Sequence, residues 1–193
     1  MEGVGRRLGS RTGFLLDIGT HSLNGRERNV LFRNDSRQDG DALTFTEVAW
    51  VNGADRVEDG RGVALLDADQ DGALDLVLRN YRMPAGLLIN RPADGHWVAF
   101  DLEGTRSNRD AIGARIRVRT GDHWQSSEVA AGGGYLSGNS LRQHFGVGDR
   151  TRIDEVSIDW PSGGRTRLLD LDVDRLHAIV EAADEEAASA SGL

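Results

Sequence analysis

Apolar and polar residues alternate in short runs along most of this chain, and the runs have the length of strands rather than helices. Ile116 and Val118 alternate with arginines in Ala114-Arg115-Ile116-Arg117-Val118-Arg119. Val156, Ile158 and Trp160 do the same with polar residues in Glu155-Val156-Ser157-Ile158-Asp159-Trp160. A period of two puts one face of such a segment in a core and the other in water. Segments 96–102, 124–129 and 141–147 read as further strands of this kind. Upstream the runs are shorter, at 29–34, 43–48, 62–66, 76–78 and 87–91, each bounded by Gly, Asn or Asp. The turn cluster Pro92-Ala93-Asp94-Gly95 separates the two regimes. The expected architecture is therefore all-β. A partial β-propeller-like blade region covers roughly 14–95, after an N-terminal extension at 1–13, and a small antiparallel β-sandwich or barrel covers 96–172. Residues 173–193 are expected to hold a final strand or short helix at 176–180 and an acidic Ala/Ser-rich tail that frays from Glu181 onward.

The densest chemistry lies between two of the short apolar runs. In Asp67-Ala68-Asp69-Gln70-Asp71-Gly72-Ala73-Leu74-Asp75, carboxylates fall at loop positions 1, 3, 5 and 9, with glycine at 6. Calcium takes roughly six to eight oxygens, and alternating aspartates in a tight loop can supply most of them. Gly72 lets the chain turn through positive φ, so that the carbonyl of Ala73 can join the carboxylates of Asp67, Asp69, Asp71 and Asp75. An EF-hand is excluded, because its twelfth loop position, here Leu78, must be a bidentate Glu and its flanks must be helices. Strand, acidic loop and strand in this spacing resemble the calcium loop of FG-GAP/VCBS repeats, the blades of integrin-type propellers. A weak internal echo agrees: Leu87-Leu88-Ile89-Asn90-Arg91 repeats the phrase of Leu31-Phe32-Arg33-Asn34. A closed propeller needs about four to eight blades, and the first part of the chain holds far fewer. It is therefore expected to be part of a longer protein, or to dock on a propeller-containing partner, or to pack on the second half.

That second half carries a resemblance of its own. The stretches are Gly104-Thr105-Arg106-Ser107-Asn108-Arg109-Asp110-Ala111-Ile112-Gly113-Ala114 and Gly133-Gly134-Tyr135-Leu136-Ser137-Gly138-Asn139-Ser140. They continue with Leu141-Arg142-Gln143-His144-Phe145-Gly146-Val147-Gly148 and Val156-Ser157-Ile158-Asp159-Trp160-Pro161-Ser162-Gly163-Gly164. Together they resemble the ASPIC/UnbV domain of the cartilage acidic protein and UnbV family, in order and without large gaps. The resemblance implies a domain that follows FG-GAP/VCBS repeats, calcium binding, and an adhesion-like or accessory role. Such proteins are commonly exported, although no signal peptide is visible at 1–16. Membership also leaves open an enzymatic or accessory part in natural-product biosynthesis of the enediyne type.

Composition narrows the partners. Net charge is −8 over 193 residues, which argues against nucleic acid or an anionic membrane surface. Cysteine is absent, so thiol catalysis and thiolate metal sites are excluded. The 25 glycines against 3 prolines read as tight turns of a β protein. None of the five histidines pairs at a zinc-motif spacing, and His144 falls in a strand pattern with Phe145 and Val147. No catalytic set assembles. Two segments remain as a speculative ligand surface for a protein or carbohydrate: the polar loop Asn108, Arg109 and Asp110, and the glycine-rich Gly133 and Gly134 with Tyr135 as a stacking face. The bland alternative for the first is a capped turn in which Arg109 pairs with a nearby carboxylate. Asp170-x-Asp172-x-Asp174 reads as a strand with one solvated acidic face, and Asp35, Asp39 and Asp41 as a degenerate acidic turn.

Overall fold

A computed structural model describes residues 27–35, 42–91, 94–135 and 137–183. The chain divides into two compact units, one ending at Asp59 and one beginning at Gly60. In the first, β1 (Phe32–Asn34) pairs antiparallel with β2 (Phe45–Glu47), Phe32 opposite Glu47 and Asn34 opposite Phe45. The expected strand at 43–48 stops early. Glu47 accepts the Ala49 amide at 2.7 Å, and the chain makes one turn of helix, α1 (Ala49–Asn52), closed by Gly53 at φ 70°. Phe32, Phe45, Trp50 and Val51 remain mostly exposed.

The second unit opens with an antiparallel sheet of β3 (Gly60–Leu66), β4 (Asp75–Asn80) and β5 (Gly86–Leu88), with β4 in the middle. The acidic loop joins β3 to β4, with Leu66 opposite Asp75. Among the described residues the region expected to hold partial blades is one three-stranded sheet and a separate two-stranded one, and neither closes on itself. The expected division at 95–96 also falls inside this unit, because the hairpin clusters with the strands C-terminal to it.

The rest is built from β6 (His96–Glu103), β7 (Arg115–Thr120), β8 (His123–Glu128), β9 (Gln143–Gly148), β10 (Arg152–Asp159), β11 (Arg165–Asp172) and β12 (Arg175–Val180). They form two sheets, β11-β10-β7-β8 and β12-β6-β9. The alternation read from the sequence is carried out residue by residue. Ile116, Val118, Val156 and Ile158 turn inward from one sheet, and Val98, Phe100, Phe145 and Val147 from the other, into a single core. Phe100 meets Phe145 edge-on at 6.1 Å between ring centres. Burying each such side chain is worth about 1.5–3 kcal/mol before the entropy of ordering is subtracted. Arginines occupy the outward positions of β7 and find carboxylates on neighbouring strands: Arg115 on Glu128 at 3.0 Å, Arg117 on Asp159 at 3.3 Å and Arg119 on Glu155 at 3.3 Å. Arg167 bonds Glu155 at 2.7 Å and, with Arg119, holds its carboxyl below the ordinary range against the opposing effect of burial.

Two features depart from a purely antiparallel sandwich. Residues 176–180 are a strand, not a helix, and β12 runs parallel to β6, Arg175 opposite Val98 and Val180 opposite Glu103. Asp174, at φ 55°, directs that arrangement: its carboxylate bonds His96 Nδ1 at 2.6 Å and accepts the Trp97 amide at 3.2 Å. Asp170 and Asp172, on the expected acidic face of β11, both pair with Arg152. The second departure is Glu181. Expected to begin a frayed tail, it is instead 4% exposed. Its carboxylate accepts the backbone N–H of Thr105, Arg106 and Ser107 at 2.9, 2.9 and 2.7 Å, and the hydroxyls of Ser107 and Ser162. Burial pushes this carboxyl up, but the Ser162 hydroxyl and the three amides outweigh it and hold it at about 2.

Candidate functional site

The acidic loop is ordered by its own carboxylates. Asp67 accepts the amides of Asp71 and Gly72, each at 3.1 Å, and Asp71 accepts that of Ala73 at 2.9 Å. Gly72 stands at φ 91°, the left-handed turn that its position in the loop demands, and Gln70 is also at positive φ. One carboxylate oxygen from each of Asp67, Asp69 and Asp71 falls within 4.8 Å of the others. Asp75 is set apart from these three. Fully buried at the start of β4, it spends one oxygen on the Ala68 amide at 2.8 Å and the other on the Asn90 amide at 2.7 Å. It ties the acidic loop to the segment that follows β5.

The loop does not project freely into solvent. Gly72 lies so closely against the indole of Trp97 on β6 that a Cβ there would collide with Nε1. Its carbonyl accepts the Nε2–H of His144 on β9 at 2.8 Å, and the His144 ring stacks on Trp97 at 5.7 Å with 11° between planes. His144 is thus the structural strand residue that its pattern suggested, and it fastens the acidic turn to the β12-β6-β9 sheet.

The free edge of β3 is covered as well. Asn139 accepts the Leu65 amide through Oδ1 at 3.0 Å, Gly134 bridges to Ser137, and the Tyr135 carbonyl approaches Gly62. An uncovered edge would invite pairing with another chain. Between this hairpin and the β8–β9 region lies a cavity of about 610 Å³, lined on one side by Leu65, Asp67 and Leu74 and on the other by Trp97, Glu128 and Arg142.

The speculative ligand residues sort differently. Asn108 closes its own turn, accepting the Ile112 amide and donating to the Ile112 carbonyl, both at 2.8 Å. Arg109 sits 3.7 Å from Glu103. Arg109 and Asp110 line a smaller cavity of about 260 Å³ beside β6 and β12. Gly132 lines the larger one, with Gly133, Gly134 and the exposed Tyr135 next to it in the chain. Asn108, Gly133, Gly134 and Tyr135 are not among the residues lining either cavity. Asp35 bonds Arg33 at 2.6 Å, and Asp39 and Asp41 lie outside the described residues. Sequence reading missed the Trp97–His144 clamp and the Glu181 anchor. Trp97 and His144 each sat in a strand pattern, and nothing local pairs residues so far apart.

No helix among the described residues is long and apolar enough to cross a membrane. Cartilage acidic protein 1 of Mus musculus is 32% identical over 143 residues, which is 70% of this chain and 21% of the relative. The Homo sapiens protein of the same name gives the same identity over the same span, and that of Xenopus tropicalis is 31% identical over 127 residues. The chain thus spans about a fifth of the length of the curated relatives it matches. Residues 104–186 match the family model described as ASPIC and UnbV, and this part of the chain is an ASPIC/UnbV domain.

Proposed function

We propose that the chain is a calcium-stabilised interaction module, in which β3, the acidic loop and β4–β5 form a calcium-binding repeat of the FG-GAP/VCBS type docked on the ASPIC/UnbV domain. The observation that carries this is the convergence of Asp67, Asp69 and Asp71 within 4.8 Å. Arg142, whose field reaches Asp67, is itself paired with Asp101. Like charges so close repel, and a hard divalent cation relieves that repulsion while taking oxygen donors. The donor set fits calcium: carboxylates, with the Ala73 carbonyl in the same turn. Asp75 braces the loop from behind through its two amide bonds. An ion bound there adds its binding free energy to the folded state, and the Gly72–His144 contact passes that stabilisation to the sheet beyond.

Thermal unfolding in EDTA, in millimolar CaCl₂ and in millimolar MgCl₂ tests this. A site filled to 100 times its dissociation constant adds about 2.7 kcal/mol, so calcium raises the melting temperature by several degrees and magnesium does not. The double variant Asp69→Ala/Asp71→Ala loses the calcium response. A response kept in the double variant, or absent from the wild type, removes the proposal.

A further inference from the structure

The cavity between the acidic hairpin and the β8–β9 region shares only Asp67 with the carboxylates proposed to hold the ion, and the rest of its lining is informative. We propose that it binds a neutral polyhydroxylated ligand, a mono- or disaccharide unit. The inference rests on the reading of the chain as a binding module, though not on the ion itself.

Its volume of about 610 Å³ lies within the range of roughly 300–1,000 Å³ typical of small-molecule sites. Leu65, Leu74 and Trp97 supply apolar surface for the C–H face of a sugar ring. The polar groups are of both kinds, and they are held in place. Asn139 gives its Oδ1 to the Leu65 amide, which fixes the side chain with its NH₂ group as a donor. Arg142 is oriented by Asp101 through two bonds of 2.9 Å, and a guanidinium offers five N–H donors in all. Glu128, mostly exposed and bonded to Arg115 through one oxygen, supplies an acceptor. A hydroxyl both donates and accepts, so a wall holding fixed donors beside a carboxylate suits a row of hydroxyls.

Charge selects among polar ligands. Asp67 and Glu128 line the cavity against the single guanidinium of Arg142, whose charge Asp101 already matches. In the ion-free protein Asp67 disfavours a phosphate or carboxylate ligand, because Arg142 and Glu128 are each already matched, by Asp101 and Arg115, whereas a neutral polyol meets no such repulsion. The wall also has room. Gly132 and Gly138 line it, and a Cβ added at either meets nothing within 4 Å. A large side chain at either position should fill the cavity without disturbing the packing around it.

Saturation-transfer NMR on the full chain in EDTA, repeated in millimolar calcium, tests the inference, with the comparison between sugar and phosphate read in EDTA. The probes are glucose, galactose, N-acetylglucosamine, lactose and cellobiose, with glucose 6-phosphate as the anionic comparator. At least one neutral sugar should show transfer, and the phosphate should show less. Gly138→Trp should weaken that binding by about tenfold or more, while Gly138→Ala keeps it within about twofold; Gly132→Phe fills the cavity from a second lining position if Gly138→Trp does not fold. No transfer from any neutral sugar, stronger transfer to the phosphate, or full binding by a folded cavity-filling variant overturns the inference. Sugar binding in a chain that shows no calcium-dependent melting shift keeps it while the calcium reading falls. A calcium-dependent melting shift without any sugar response does the reverse.

Discussion

Replacing Glu181 by glutamine removes one charge and almost no volume, at a point where the C-terminal strand meets the loop after β6. The carboxylate takes three backbone amides and two serine hydroxyls. An amide in its place has one oxygen for those donors, and its NH₂ group faces donors rather than acceptors. The carboxyl titrates at about 2 when folded against an ordinary 4.5. Each tenfold change in proton affinity is about 1.4 kcal/mol, so the charged form contributes roughly 3 kcal/mol at neutral pH. The sign follows from the lowered value: the contribution is complete above about 4.5 and disappears as pH falls towards about 2. Urea unfolding between pH 7 and pH 3, followed by circular dichroism, gives the test for wild type and Glu181→Gln side by side. The gap between them should be roughly 3 kcal/mol at pH 7 and narrow by about 2 kcal/mol at pH 3. Other carboxylates titrate in both proteins and cancel in the difference. A gap below about 0.5 kcal/mol at neutral pH, or one that stays constant with pH, refutes the anchor.

Gly72→Ala forces a methyl group into the Trp97 indole at a left-handed backbone position. It should cost about 2–4 kcal/mol through overpacking and backbone strain, read as a lowered urea midpoint. A midpoint equal to wild type would mean that the loop and the sheet do not touch. Asp75→Ala should destabilise the chain by about 1–3 kcal/mol even in EDTA, because two backbone amides lose a fully buried acceptor. Asp69→Ala, on an exposed side chain, should cost less than about 0.5 kcal/mol in EDTA, and the two midpoints measured without metal separate bracing from chelation.

Strands β6, β7, β9 and β10 were legible because each buries one face, and a period of two in Ile116/Val118 or Val156/Ile158 has few other readings. The acidic turn was legible for a similar reason: Asp67, Asp69, Asp71 and Gly72 make their pattern within a few residues. The features that escaped depend on partners distant in the chain. The parallel pairing of β12 with β6 leaves no local mark, and Glu181 looks like any glutamate in an Ala/Glu-rich end. Helix α1 escaped because Trp50 and Val51 favour strands, whereas the Glu47 carboxylate and Gly53 decide the matter. Exposed glycine amides and a tyrosine face suggested a two-part ligand surface; Arg109 and Asp110 line one hollow and Gly132, beside Gly133–Tyr135 in the chain, another.

The parallel β12–β6 pair bears on how this protein is made. Strand β6 is the middle strand of its sheet, yet its neighbour on one side is the last strand of the domain. On the ribosome, β6 emerges with Val98 and Phe100 exposed and waits while every intervening strand is synthesised. Only when Arg175–Val180 and then Glu181 have cleared the exit tunnel can the sheet be completed and the 105–107 amides be satisfied. Such long-range closure makes folding slow and late. A nascent chain released just before Arg175 would present an open β6 edge to its neighbours, so a premature stop there should give insoluble protein rather than a shortened working domain.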